Sequence, residues 1–282
     1  MKKHKIIKVK KKKSSNQTLI LFDHDGTLCQ TNPNSYDSII YAAKDAAIFF
    51  KVPSIYLDVD WDSLFALTRG TTELNLIHEI AKLYTIKEAD LDTFTSAFIK
   101  ARANWYKATR LTGDTIHDTY HSDSLQILDM IHTSEKHKSI LVTGNPREVI
   151  EIRLSKHVRK YFTSESGLFG AFGEEAKTRD EIIRIAIEKS IAQFPDFKPV
   201  YSDDGYIINV IYIGDSSHDM IAGLMSKVQV ILIPSRDLAQ KIDYVADSYN
   251  RFLAKTFEKH LLITNNLTNN DALHFLGLEE VE

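Results

Sequence analysis

Apolar residues follow two rhythms along this chain. Four short stretches are almost continuously apolar: Thr18 to Phe22 (TLILF), Ser139 to Thr143 (SILVT), Asn209 to Asp215 (NVIYIGD) and Val228 to Pro234 (VQVILIP). Runs of this length without polar alternation predict strands buried on both faces, as in the centre of a parallel sheet. The segments between them carry a helical rhythm. Pro146 opens PREVIEIRLSK, with Asn145 suited to the N-cap and proline to the first helical position. Thr178 to Ser190 has apolar residues at 182, 183, 185, 186 and 187, and Ser216 to Met225 follows the third strand directly. Alternating strands and helices predict an α/β fold with a doubly wound, Rossmann-like parallel sheet.

One stretch breaks the alternation. Residues from about 35 to 112 hold no buried-strand pattern, and read instead as helices over Ser35 to Lys51, Thr71 to Tyr84 and Lys87 to Thr109. The expected organisation is a basic arm at 1–16, a core domain over 17–34 and 113–260, a separate helical domain over 35–112, and a tail at 261–282. The Asn-rich ITNNLTNND has no periodic pattern, and no element is assigned to that tail.

Composition narrows the class. The chain has 282 residues, of which 43% are hydrophobic and 26% charged, which is ordinary globular usage. No apolar run approaches the roughly 18 residues that a membrane helix needs. A single cysteine, Cys29, excludes a disulfide framework and a Cys-based metal cluster. The charged N-terminus has no apolar segment after it, so a secretory signal is not expected and a cytoplasmic setting fits best. Net charge is −3, but eight lysines lie within residues 1–13, so the remainder opposes 27 basic residues to all 38 acidic ones. A basic arm can touch nucleic acid. An acidic body argues against a nucleic-acid binder.

Candidate chemistry sits where strands end. The first strand runs into Asp23-His24-Asp25-Gly26-Thr27-Leu28, two carboxylates beside the ligand crevice of an open α/β sheet. One such acid can attack as a nucleophile while the other moves a proton. The second strand ends in Thr143-Gly144-Asn145, a hydroxyl and amides at a helix start, which suits a phosphate. The third ends in Gly214-Asp215-Ser216-Ser217-His218-Asp219. Asp23, Asp215 and Asp219 together call for a cation, and oxygen ligands suit Mg²⁺. Between these motifs, Lys177 and Arg179 stand at the start of a helix, where a cation opposes the helix dipole and an anionic partner would offset it.

In this order the four elements resemble the haloacid dehalogenase (HAD) superfamily. Asp23 to Leu28 matches its DxDGT[L/V] motif, Thr143 its second motif, and Gly214 to Asp219 its GDxxxD motif. The third motif departs, because Lys177 lacks the usual prolines. Lys177 is preferred there, with Arg179 as the alternative. The helical insert falls where that family's C1 cap sits. The resemblance implies that Asp23 is a nucleophile forming an aspartyl-phosphate and that Asp25 is the acid and base. It implies that Mg²⁺ is held by the Asp23 carboxylate, the Asp25 carbonyl and Asp215, with support from Asp219. Thr143, Gly144 and Asn145 would bind the phosphoryl group, with Lys177 or Arg179 on its charge. Arg69 and Thr71, in the Thr-Arg-Gly-Thr-Thr loop of the cap, are the candidates for substrate contact. The function implied is a phosphomonoester phosphatase for a small phosphorylated metabolite, as a monomer or homodimer. The alternatives are a phosphomutase of the β-phosphoglucomutase type and a non-catalytic binding protein.

Overall fold

The computed structural model describes residues 16–32, 34–68, 70–111, 118–165, 167–234 and 257–278. The lysine-rich arm and Arg69 lie outside the described residues. The four predicted strands are β1 (Thr18–Phe22), β2 (His137–Val142), β6 (Ile207–Gly214) and β7 (Val228–Leu232). Two further strands complete the sheet: β5 (Gly170–Ala171) and β8 (Leu261–Ile263). A two-residue hairpin, β3 (Thr163–Ser164) with β4 (Gly167–Leu168), stands apart. The sheet order is β5-β2-β1-β6-β7-β8, parallel throughout.

Side chains alternate between two cores, which is why the buried stretches of these strands are apolar on both faces. Ile20 and Phe22 of β1, Leu141 of β2, and Ile211 and Ile213 of β6 enter one core. Leu19, Leu21, Ile140, Val142, Val210 and Tyr212 enter the other. The first core is covered by α5 (Ser122–Thr133), α6 (Arg147–Arg153) and α7 (Lys156–Arg159), the second by α8 (Arg179–Gln193). The helix α9 (Ser217–Met225) packs on β7 through Met220.

The segment from 261 is no separate tail. β8 pairs with β7, and α10 (Asn270–Leu276) brings Leu276, with Leu267 and Leu278, into the first core. The Leu267 N–H donates to Asp123 Oδ2 at 3.1 Å, and His137 Nε2 meets the Leu276 carbonyl at 3.1 Å. Asn269 caps α10 through the Ala272 N–H (2.8 Å), and Asn266 accepts from the Thr268 N–H (2.8 Å) in the turn before it.

A helical lobe stands between β1 and β2 in sequence. It comprises α1 (Ser35–Phe49), α2 (Trp61–Thr68), α3 (Glu73–Leu83) and α4 (Leu91–Leu111). Its own core joins Ala42, Ala43 and Ala46 of α1 to Ile77 and Ile80 of α3 and Phe94 and Phe98 of α4. Small alanines let α1 lie close against α4. Among the described residues no helix is long and apolar enough to cross a membrane.

The lobe is latched to the sheet domain by the first turn of α3. The Glu73 N–H donates to the Gly144 carbonyl and the Leu74 N–H to the Gly173 carbonyl, each at 2.9 Å. The Thr72 hydroxyl donates to the Ala176 carbonyl at 2.6 Å. These are the amides that a helix start leaves without internal partners. The core's carbonyls satisfy them.

Candidate active site

Strand order reverses direction at β1, with β2 and β5 to one side and β6, β7 and β8 to the other. Crevices in open α/β sheets form at such points, beyond the strands' carboxyl ends. Here a cavity of about 540 Å³ opens between the sheet edge and the helical lobe. Asp23, Asp25, Gly144, Asn145, Arg179 and Asp215 line its floor.

Asp23 follows β1 directly and is 2% exposed. Burial pushes its carboxyl well above the usual range, the Arg179 guanidinium opposes this, and the neighbouring carboxylates add to it. Arg179 Nη1 stands 3.4 Å from Asp23 Oδ1. Asp215 follows β6, and burial, then Asp219, raise its carboxyl to about 7. Gly26 holds φ at +81°, and a Cβ there would lie 2.3 Å from an Asp215 carboxylate oxygen. The glycine therefore serves both the turn and the close approach of the two loops.

Ligand atoms of Asp23, Asp215 and Asp219 all lie within 4.8 Å of one another. Asp219 is already committed. Its Oδ1 accepts from the Tyr212 hydroxyl at 2.7 Å and pairs with Arg179, while Oδ2 caps α9 through the Ser216 N–H (3.0 Å). It is an anchor for Arg179, and Asp23 and Asp215 are left facing each other's charge. Two carboxylates raised by burial and by the carboxylates around them suit a divalent cation. A metal ion placed there would compete with protons for one site. Adding Mg²⁺ to the protein at pH 6 should release protons, and far fewer at pH 8; calorimetry in buffers of different ionisation enthalpy measures this.

Asp25 is held differently. Burial alone would raise it, but Arg153 overcomes this and keeps its carboxyl well below the usual range, with help from His24. Arg153 is fully buried and forks across both Asp25 oxygens, with Nη1 3.1 Å from Oδ2 and Nη2 paired to Oδ1. Its Nη2 also donates to Asp118 at 2.8 Å. Asn145 Nδ2 donates to Asp25 Oδ2 at 2.7 Å. His24, fully buried, stands with Nε2 3.3 Å from Asp118 and Nδ1 3.7 Å from Asp25. Cys29 lies beside it, and burial pushes its thiol well up, keeping it protonated.

The remaining predicted residues divide. Thr143 is buried, and its hydroxyl oxygen accepts from the Asn145 N–H at 3.2 Å. The helix after it starts at Arg147, with Pro146 as N-cap instead of Asn145. Its first N–H goes to the Glu174 carboxylate at 3.1 Å, and of the three residues of the expected cradle Gly144 and Asn145 line the cavity while Thr143 does not. Arg179, and not Lys177, stands at the aspartates; Lys177 is exposed and does not line the cavity. Arg179 also donates from Nε to the Gly70 carbonyl at 3.1 Å, tying the lobe's loop to the floor. Thr71 lines the cavity, with its hydroxyl donating to the Thr68 carbonyl at 2.7 Å.

Sequence reasoning missed Arg153, Asp118, Tyr212, Arg102 and Glu73. Arg102, on α4, is 1% exposed and pairs with Glu73 of α3. It further donates to Ser38 Oγ (3.1 Å), Ser35 Oγ (3.0 Å) and Asn145 Oδ1 (3.3 Å). The available signal was its place in the stripe Phe94, Phe98, Arg102, Tyr106, where a charge interrupts an i, i+4 apolar series. His218, between Asp215 and Asp219 in the third strand's motif, also lines the cavity, and a Cβ on Gly70 (φ +73°) would sit 2.2 Å from its ring.

No protein-family model and no curated relative matches the sequence. Solved structures do match in three dimensions. A HAD hydrolase, family IA, variant 3, from Entamoeba histolytica superposes with a TM-score of 0.54 at 15% identity, over 93% of this chain and 99% of that one. A hydrolase from Pseudomonas syringae gives 0.51 at 14%, over 90% and 97%. The fold is that of the HAD-type hydrolases. The parallel α/β sheet expected from the sequence is the one these structures share. At such identities the likeness extends to the fold, and the chemistry must be read from this chain's own residues.

Proposed function

We propose that this chain is a Mg²⁺-dependent phosphomonoester hydrolase working through an aspartyl-phosphate on Asp23. The observation that carries the reading is Asp23 itself: a buried carboxylate at the strand end, with Arg179 on one side and Asp215 on the other. Phosphoryl transfer needs an aligned nucleophile and neutralised charge more than elaborate covalent chemistry.

An Asp23 oxygen attacks the phosphorus, and the bond from phosphorus to the ester oxygen breaks. The leaving oxygen takes that electron pair and a proton from Asp25. Water then attacks the aspartyl-phosphate, giving its proton to Asp25, and the bond to Asp23 breaks to release phosphate. Arg179 and the Gly144 N–H meet the phosphoryl oxygens, Asp219 and Tyr212 hold Arg179 in place, and Thr143 positions Asn145. Asp23, Asp215 and the Asp25 carbonyl would hold Mg²⁺, which supplies charge neutralisation at the phosphoryl oxygens.

In the arrangement described, Asp25 is a carboxylate locked on Arg153. That is the form needed to take a proton from water. Giving a proton to the leaving oxygen requires that Asp25 first leave Arg153. The helical lobe acts in this reading as a cap, and its latch through Glu73 and Leu74 keeps bulk water from the intermediate.

Phosphate release from a panel of small phosphomonoesters, with Mg²⁺ and with EDTA, tests the proposal. Release that EDTA abolishes is expected. No release from any ester by Mg²⁺-loaded protein would overturn it.

A further inference from the structure

We infer that the site selects phosphomonoesters whose leaving group carries a hydrogen-bond donor, a hydroxyl or an ammonium, and no second anionic group; this rests on the hydrolase reading above. One wall of the cavity belongs to the helical lobe, and its chemistry is specific. Tyr36 and Phe65 form an aromatic pair there with centroids 4.6 Å apart, flanked by Ile39 and Leu76. Such a wall accepts the carbon skeleton of a small metabolite.

Beside this apolar wall stands Glu73, 6% exposed. One carboxylate oxygen is taken by Arg102, and the other, Oε1, has no hydrogen-bond partner among the described residues. A buried acceptor without a donor is costly, and a donor brought into the cavity relieves that cost. A carboxylate accepts from hydroxyl and ammonium groups and repels a second phosphate or carboxylate.

Among the described residues, the groups that could have received a second anion are already occupied. Arg102 is neutralised by Glu73, and Arg179 by Asp219 and Asp23. The Glu73 and Leu74 amides of α3, which would attract an anion, donate to the Gly144 and Gly173 carbonyls. Among the described lining residues, the charged groups are Asp23, Asp25, Glu73 and Asp215 against Arg102 and Arg179. A bisphosphate intermediate, which a phosphomutase of the β-phosphoglucomutase type needs, finds no free cation among them.

The test uses full-length Asp23→Asn protein with Mg²⁺, so that binding is read without turnover. It is titrated calorimetrically with glycerol 3-phosphate, phosphoethanolamine, 2-phosphoglycolate and glucose 1,6-bisphosphate. One of the first two should bind at least about tenfold tighter than either of the last two, the effect of one hydrogen bond to a charged group. Which of the two wins decides between a hydroxyl and an ammonium. Adding Glu73→Gln should shrink that preference by about tenfold, because the repulsive charge is gone while the shape is kept. The inference is overturned if phosphoglycolate or the bisphosphate binds as tightly as the donor esters, if no donor ester binds, or if folded Glu73→Gln protein keeps the full preference. Where Glu73→Gln protein does not fold, the selectivity of Asp23→Asn protein alone decides. The hydrolase reading fails by a different result, an absence of phosphate release by the Mg²⁺-loaded wild-type chain from every ester of the panel, the donor-bearing ones included.

Discussion

Asp23→Asn should abolish turnover, by at least about 10⁴-fold in kcat, the scale on which loss of a nucleophile acts, and should leave the fold intact. Asn has the shape of the protonated carboxyl, and burial already pushes Asp23 toward that state in the metal-free site. The sign of the stability change follows. A carboxyl raised on folding costs stability at pH values above its unfolded pKa, because folding then buries a charge that water stabilises better. The metal-free variant should therefore melt no lower than metal-free wild type at pH 7, and Mg²⁺ should stabilise it less than wild type. Thermal melts with and without EDTA, beside a phosphate-release assay, check both halves. Retained turnover would remove Asp23 as nucleophile. A large drop in melting temperature would mean that its charge is structural.

Much of this fold was legible because the sheet is covered on both faces. β1, β6 and β7, and the Ile140–Val142 half of β2, are apolar at nearly every position, so their pattern survives without any knowledge of what packs on them. β5 and β8 were not legible, and the reason is physical. Gly170–Ala171 and Leu261–Ile263 are two and three residues long, and they are strands because the sheet edges beside them offer partners. No local pattern in so short a segment can announce that. α2 is similar, with two buried side chains in eight residues.

The candidate site shows the same division. Asp23, Asp25, Thr143, Asp215 and Asp219 stand next to strand ends, so sequence places them. The choice between Lys177 and Arg179 turned on one local detail. Glu181 accepts from the Thr178 N–H at 3.3 Å, the returning half of a capping box that makes Thr178 the N-cap. Arg179 is then the first helical residue and points with the helix, while Lys177 falls outside it. Thr-x-x-Glu was present in the sequence to be read. Arg153 and Asp118 had no such signal. They are 35 residues apart, and only the tertiary fold brings them together.

That buried pair carries the second large expectation. Arg153→Met should destabilise the protein by about 3–5 kcal/mol, the usual cost of removing one partner of a buried ion pair. Methionine fills much of the volume, so lost packing is the smaller part. The larger part is the charge left behind. Asp118, whose side chain is fully buried, would keep His24 as its neighbour, and Asp25 would lose both guanidinium bonds. Adding Asp118→Asn to Arg153→Met should recover part of the loss, since the stranded charge goes with it. A double-mutant cycle in urea at pH 7 isolates that coupling. Arg153→Lys should fall between the two, because a lysine restores the charge without the planar fork that spans Asp25 and Asp118. If Arg153→Met cost less than about 1 kcal/mol, at the level of an exposed ion pair, the site would be open to water in solution. Asp25 would then be free of its lock, and the step in which it must leave Arg153 before protonating the leaving oxygen would not exist.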